Sequence, residues 1–206
     1  MTTVMPIIYT PRGKALEYSD LAANLYTGCS HACRYCYCPA IVTREALLIL
    51  ERHGLRVQVL TKGGKRTIGD FDILARNDWK FGSTIIFLNE KLREEWEPGA
   101  ASIVERIEAV REAHRRGIFT WISVEPVVDA SEALLVMREL REVVDFWKVG
   151  KLNHDKQREA AIDWRQFLWD TEAVLAGKNY MIKQDLEKFR ADAESGSLLC
   201  GHPQCS

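Results

Sequence analysis

Short apolar segments alternate with amphipathic segments along most of this 206-residue chain. Runs rich in β-branched and aromatic residues predict strands over 24–26, 55–60, 81–88, 118–124, 143–149 and 180–183. Apolar residues at helical spacing predict helices over 42–53, 69–75, 102–116 and 131–141, and from Asp163 onward. Units of this kind join parallel strands through right-handed crossovers. The pattern predicts an α/β fold, an open or partial (β/α) barrel of about six mostly parallel strands.

The ends of two predicted helices carry glycine, and the start of a third carries a capping residue. Gly54 and Gly117 follow the helices over 42–53 and 102–116, where glycine favours termination. Ser131, with Glu132 in the first turn, is expected to cap the helix that ends at Arg141.

The composition is that of a globular chain with a sizeable core. Hydrophobic residues make up 47% of the sequence and include six tryptophans. The length predicts one barrel-like domain over 1–190, followed by a tail over 191–206 that carries Cys200 and Cys205. The net charge of −1 excludes a domain whose whole surface grips nucleic acid, so any contact with DNA must come from a local patch.

The sequence has no feature that predicts export or membrane insertion. No basic segment followed by an apolar stretch of signal-peptide length opens it, and no apolar run approaches the roughly 20 residues that span a bilayer. We therefore expect a cytoplasmic location and no membrane partner. In a reducing compartment, closely spaced cysteines are metal ligands or redox groups more often than disulfides.

Four of the six cysteines lie in the segment YTGCSHACRYCYCP, residues 26–39. Cys29, Cys33 and Cys36 have the spacing C-x3-C-x2-C, which lets one loop hold three corners of a cubane iron–sulfur cluster and leaves one iron open. A structural zinc site is the alternative, but it needs four closed ligands and would have to recruit Cys38. The spacing favours iron–sulfur and predicts that Cys38 is not a ligand. The loop follows the first predicted strand, at the edge where parallel sheets gather ligands.

The stretch GCSHACRYCY resembles the signature of the radical S-adenosylmethionine superfamily, C-x3-C-x-aromatic-C, with Tyr35 at the aromatic position. Later segments resemble the branch that includes spore photoproduct lyase and relatives labelled DNA repair photolyase. These segments are TREALLILERHGLRVQVLTKGG, WEPGAASIVERIEAVREAHRRGI, SVEPVVD and FWKVGKLN. The similarity runs from about Tyr18 to about Leu186.

The resemblance implies a [4Fe–4S] cluster held by Cys29, Cys33 and Cys36, whose open iron binds the amino and carboxylate groups of S-adenosylmethionine. One electron from a flavodoxin- or ferredoxin-like reductant would cleave a carbon–sulfur bond and release a 5′-deoxyadenosyl radical. Tyr35 would lie against the adenine, and Tyr35 and Tyr37 match two tyrosines implicated in hydrogen-atom return in the lyase. The branch implies a lyase of DNA repair, acting on DNA or another nucleotide-bearing substrate.

The chain departs from these relatives directly after the cysteine loop. In the relatives several tens of residues precede a segment like TREALLILERHG, and they include a helix and a second strand that ends in a loop that helps hold S-adenosylmethionine. Here Pro39 almost adjoins Thr43. The absent stretch is also where the lyase keeps its hydrogen-donating cysteine. A second function therefore stays open, an iron–sulfur or zinc-binding protein that has lost cleavage of S-adenosylmethionine.

Three polar residues near predicted strand ends are further candidates for binding the cofactor. Lys62 follows the strand VQVLT and could pair with the methionyl carboxylate, with a solvated turn as an equal alternative. Ser83 could hydrogen-bond the cofactor or simply pack within its strand. Glu125 precedes Pro126 at the end of an apolar strand, where a carboxylate needs a partner such as the ribose hydroxyls or the ammonium group of the cofactor.

Two lysines and the C-terminal tail complete the candidates. Of Lys148 and Lys151, near the end of one strand, one is expected to face the barrel mouth and the other solvent. Cys200, His202 and Cys205 are an incomplete ligand set, so a flexible tail is favoured over a second metal site.

Overall fold

The computed structural model describes residues 8–11, 16–17, 20–23 and 43–195, with the side chains of 8, 9, 23, 43 and 191–195 excepted. Several sequence predictions lie outside these residues: the strand over 24–26, the cysteine loop with Tyr35 and Tyr37, and the tail with Cys200 and Cys205.

Five strands form one parallel sheet, in which strand order follows chain order. They are β3 (Gln58–Thr61), β4 (Lys80–Thr84), β5 (Thr120–Val127), β6 (Phe146–Lys151) and β7 (Asn179–Ile182), and a separate antiparallel pair joins β1 (Ile8–Tyr9) to β2 (Ala22–Ala23). This sheet confirms the predicted α/β class. In the described residues it is open and does not close into a barrel.

Helices connect the strands and follow the last one. They are α1 (Thr43–Arg52), α2 (Phe71–Arg76), α3 (Glu90–Trp96), α4 (Ile103–Arg115), α5 (Ala130–Leu140), α6 (Lys156–Ala161), α7 (Trp164–Val174) and α8 (Gln184–Ser195), with a 3₁₀ helix (Gly64–Asp70) before α2. Helix α8 runs across position 190, where the sequence predicted a domain boundary. None of the helices in the described part of the chain has both the length and the apolarity to cross a membrane.

Strand β4 is shorter than its apolar run predicts. Strand β4 ends at Thr84 although the apolar run continues to Leu88, because 85–87 leave the sheet and stay buried by packing. Ile86 and Phe87 enter a small apolar cluster with Trp96 of α3. Burial alone therefore does not distinguish a strand from the loop that follows it.

The helix ends agree with the sequence at the glycines and differ at Ser131. Gly54 and Gly117 adopt φ of +64° and +72°, which glycine tolerates at a helix end. The expectation that Ser131 caps α5 is wrong, because Asp129 is the N-cap residue and accepts the Glu132 backbone N–H at 3.0 Å. Ser131 instead donates its hydroxyl to the same carboxylate. Burial raises the pKa of Asp129, but the hydrogen bonds from Ser131 and Glu132 outweigh it and hold that pKa below its usual value.

The two faces of the sheet differ in character. Right-handed crossovers in an unbroken strand order place the connecting helices on one face. On that face Phe81, Ile122 and Trp147 join the main core together with side chains from the helices. The opposite face, called the polar face below, carries the alternate residues of each strand. Its members include Gly82, Thr84, Trp121, Ser123, Glu125, Lys148 and Gly150.

Candidate functional site

A row of buried polar side chains crosses three neighbouring strands on the polar face. The strand register places Thr84 beside Ser123, and Ser123 beside Lys148. All three are almost fully buried, with exposures of 4%, 2% and 5%. Polar groups are costly to bury without partners, and parallel sheets bind ligands towards the carboxyl ends of their strands. This row is therefore the candidate site in the described residues.

An aromatic floor supports the row on its amino-terminal side. Gly82 lies beside Trp121, and a Cβ atom at Gly82 would lie less than 3.0 Å from the indole ring. The missing side chain lets the indole lie across β4. The ammonium of Lys148 is 5.0 Å from the centre of the same ring, within the range of a cation–π interaction.

Glu125 and Lys183 form an ion pair on the other side of the row. The Lys183 Nζ atom lies 3.1 Å and 3.0 Å from the two carboxylate oxygens of Glu125, and Lys183 is 4% exposed. Gly150 makes room for this pair, because a Cβ there would be 2.9 Å from the Glu125 carboxyl carbon. The partner that the sequence required for Glu125 is thus supplied by a lysine just after β7.

The N-terminal segment reaches the same place through Glu17. Lys148 donates a hydrogen bond from Nζ to the Glu17 carbonyl oxygen at 3.1 Å. A Glu17 carboxylate oxygen lies 3.9 Å from the Lys183 Nζ atom. One residue, 131 positions before Lys148, therefore contacts both ammonium groups.

The surroundings of Lys148 disfavour its charged form. Burial, the larger cause, and the charges of Lys183 and Lys80 together lower the pKa of Lys148 to about 8. The carboxylates of Glu125 and Glu17 oppose the shift but do not cancel it. Lys148 therefore exchanges its proton within the neutral to weakly alkaline range, unlike an exposed lysine.

Lys62 belongs to a second buried group of charges. Its Nζ atom is 3.8 Å from Glu97, whose carboxylate also pairs with Arg106 at 2.6 Å. Arg106 donates to the Thr84 carbonyl oxygen at 2.8 Å, so the group ties the end of β4 to α4. The Lys62 side chain is only 14% exposed, which does not agree with a solvated turn.

Ser83 lies on the helix-covered side of β4, not on the polar face. Its register partner is the core residue Ile122, and its hydroxyl donates to the Thr61 carbonyl oxygen at 3.2 Å. The neighbouring hydroxyl of Thr84 belongs to the polar face. In this geometry Thr84 is the better-placed hydroxyl for a ligand on that face.

The two lysines of β6 separate as alternation requires, but not as the sequence predicted. Lys148 is on the polar face, whereas Lys151 points to the helices and is 9% exposed. Lys151 donates to Glu159 at 2.5 Å and lies 5.3 Å from the Trp164 ring centre. The expectation that one of the pair faces solvent is therefore wrong.

The site residues Ser123, Lys183 and Glu17 were not singled out from the sequence. Lys183 directly follows the last strand, at the edge where parallel sheets bind ligands. That position in the sequence could have identified it as a candidate ligand-binding residue. Glu17 has no local signal, because its contacts are with residues far along the chain. Within the described residues, no group of three or more His, Cys, Asp or Glu is placed to hold a metal ion.

Comparison with known proteins finds similarity in structure only. No family model and no curated protein matches the sequence. SuiB from Streptococcus suis bound to S-adenosylmethionine shares the fold with a TM-score of 0.57 and 13% identity, over 72% of this chain and 38% of SuiB. A second structure of SuiB has a TM-score of 0.58 and 14% identity, over 79% of this chain and 40% of SuiB. The structure of SuiB bound to the precursor peptide SuiA has a TM-score of 0.58 and 13% identity, over 73% of this chain and 37% of SuiB.

The low sequence identity limits the similarity with SuiB to the fold. At 13–14% identity it concerns the fold, an open α/β sheet of parallel strands with connecting helices. This chain spans about two fifths of the length of SuiB.

Proposed function

We propose that this chain is a radical S-adenosylmethionine enzyme that reductively cleaves its cofactor to a 5′-deoxyadenosyl radical. The observation that carries the proposal is the C-x3-C-x2-C loop in a chain whose fold is shared with a structure bound to S-adenosylmethionine. That spacing supplies three thiolates and leaves one iron of a [4Fe–4S] cluster open. When bound, the cluster and S-adenosylmethionine supply the electron transfer and the radical.

The protein's own residues would hold and shield these groups. In the proposal Cys29, Cys33 and Cys36 ligate the cluster, and Tyr35 and Tyr37 serve the adenine and hydrogen-atom return. The donor types on and around the polar face suit the cofactor, because hydroxyls, a carboxylate and ammonium groups complement its ribose, ammonium and carboxylate.

Among the described candidates, Lys62 and Glu125 would serve the methionyl and ribose groups. Each already has a charged partner, Glu97 and Lys183 respectively, so binding would require these pairs to be shared or exchanged. Ser83 stays a candidate with its hydroxyl on the other side of β4.

The substrate, reductant and location follow from the resemblance and are part of the proposal. The substrate would be DNA or another nucleotide-bearing molecule and the reaction a lyase reaction of DNA repair. The electron would come from a flavodoxin- or ferredoxin-like protein in the cytoplasm.

A second candidate function has a specific observation in its favour. Only three residues separate Pro39 from Thr43, where α1 begins, so the segment that holds S-adenosylmethionine in the relatives has no counterpart. Under this alternative the chain binds an iron–sulfur cluster or zinc and does not cleave S-adenosylmethionine.

Anaerobic reconstitution with iron and sulfide, followed by calorimetry with S-adenosylmethionine, tests the proposal. We expect binding that depends on the cluster, because the open iron supplies part of the site. The matched control is Cys33→Ala, which should lose both the cluster and the binding. Equal affinity with and without the cluster, or a zinc-loaded protein that takes up no iron, would contradict the proposal.

A further inference from the structure

The polar face brings two buried ammonium groups to one place beside two hydroxyls. Lys148 and Lys183 both contact Glu17, and Lys148 shares its row with Ser123 and Thr84. Ammonium and hydroxyl groups are the donors that recognise carboxylate and phosphate oxygens. The described part of the face thus has the chemistry of an anion site.

The contacts of Glu17 resemble those of an anionic ligand. Its carbonyl oxygen accepts from Lys148, and its carboxylate lies 3.9 Å from Lys183. Glu125 holds Lys183 more closely, at 3.0 Å. Of these two described carboxylates Glu17 is therefore the looser partner of Lys183, and the one that an incoming anion would displace at lower cost.

We infer that Lys148 and Lys183 bind an anionic group of the substrate, a carboxylate or phosphate, and that Glu17 occupies this position until the substrate displaces it. The inference names the substrate class for the proposed enzyme, and in that sense it rests on the proposed function. An anion at this position is attracted by both ammonium groups and relieves the repulsion between them.

The protonation of Lys148 provides a direct readout. Among the described residues, the charged groups that act on it are Lys80 on β4, Glu125 on β5, Lys183 after β7 and Glu17. A bound anion favours the charged form, so binding must raise the pKa of Lys148 from about 8. By the same linkage, the affinity for the anion falls as the pH rises through this value.

The experiment is an NMR titration of lysine side chains in the full-length chain, with inorganic phosphate and acetate as probes and chloride as the ionic-strength control. We expect phosphate or acetate to raise the pKa of Lys148 by about one unit or more, equivalent to about tenfold tighter binding to the protonated form. The exposed Lys65 is the internal control. Its pKa should not respond to the anions, because it already pairs with Glu108. Equal responses of the two lysines, or none at Lys148, would overturn the inference.

Three variants separate a site from a general charge effect. Lys148→Met should weaken phosphate binding about tenfold, Lys148→Arg should retain most of it, and Glu17→Gln should tighten it by removing the competing charge. Circular dichroism checks that each variant is folded. Unchanged binding in Lys148→Met, or weaker binding in Glu17→Gln, would refute the assignment.

A competition arm distinguishes substrate from cofactor. Addition of S-adenosylmethionine to the phosphate-bound, reconstituted chain should leave the Lys148 signal in its bound position. Displacement of phosphate would assign Lys148 to the cofactor carboxylate and overturn the substrate assignment. Specific phosphate binding in a chain that fails to cleave S-adenosylmethionine would instead refute the proposed enzyme and leave the anion site standing.

Discussion

At the scale of single residues, Gly82 determines how the aromatic floor of the polar face is built. Its Cα lets the Trp121 indole cross β4, and any side chain there would overlap the ring. The ring in turn lies beneath the Lys148 ammonium. A glycine inside a strand, where it is otherwise unfavourable, thus indicates a close approach of a neighbouring group.

We predict that Gly82→Ala destabilises the fold by about 1–3 kcal/mol, because the buried indole must move or strain. The measurement is the free energy of unfolding from urea denaturation. Gly69→Ala is the matched control, since a Cβ there meets no atom within 4 Å and the change should cost less than ~0.5 kcal/mol. Equal stabilities of the two variants would contradict this account of Gly82.

We predict that three of the four cysteines in the cysteine loop hold the cluster. Single changes of Cys29, Cys33 or Cys36 to alanine should abolish the visible absorption of the reconstituted cluster, because each thiolate holds one iron. Cys38→Ala is the control and should keep the absorption. Loss of the absorption in Cys38→Ala, with zinc found by elemental analysis, would favour the closed zinc site.

The role of a single residue could be predicted from sequence only where its position at the end of a strand determines its surroundings. Glu125 was expected to need a partner, and the structure supplies Lys183. Ser83 was a candidate for binding the cofactor, but the register places its side chain away from the polar face, because the exact strand phase depends on pairing with β5. Lys151 was misjudged because its partners, Glu159 and Trp164, come from later helices.

At the scale of elements, one buried ion pair joins β4 to α4. Glu97 and Arg106 are each almost wholly buried, and Arg106 also holds the carbonyl at the end of β4. We predict that Arg106→Met costs about 3–5 kcal/mol, since it leaves a buried carboxylate without this partner.

The control for that change is Arg111→Met, which removes an exposed pair with Glu139 and should cost about 0–1 kcal/mol. Thermal or urea unfolding of both variants gives the comparison. A cost for Arg106→Met no larger than that of Arg111→Met would show that the buried pair does not fix these elements together.

The start of α5 offers a test of which residue caps it. Asp129→Ala should cost about 0.5–2 kcal/mol, because it leaves the Glu132 N–H without its acceptor. Ser131→Ala removes only an exposed hydroxyl and should cost less. Urea unfolding at neutral pH, where Asp129 is ionised, measures both, and the reverse order of costs would contradict the capping assignment.

Element types were predictable where the periodic signal was long, and bounds were not. The long helices α4 and α7 and all five parallel strands follow from apolar spacing. The short helices α3 and α6 were not predicted, whereas α2, also six residues long, was, because so few residues give only a weak periodic signal. The end of β4 was placed late because its apolar run continues into a packed loop.

At the scale of the whole molecule, an open parallel sheet carries helices on one face and a polar site on the other. Unbroken strand order with right-handed crossovers produces this division. The same fold in SuiB accompanies bound S-adenosylmethionine. The cysteine spacing, the fold and the polar face together support the proposed cleavage of S-adenosylmethionine.

Measuring the formation of 5′-deoxyadenosine is the direct test of the proposed cleavage of S-adenosylmethionine. The reconstituted chain, S-adenosylmethionine and a strong reductant are incubated without oxygen, and the product is quantified by chromatography against time. The proposed function predicts product that accumulates with the intact cluster and is absent in Cys33→Ala. An intact cluster that yields no product above the Cys33→Ala background would contradict it and leave a metal-binding protein without radical chemistry.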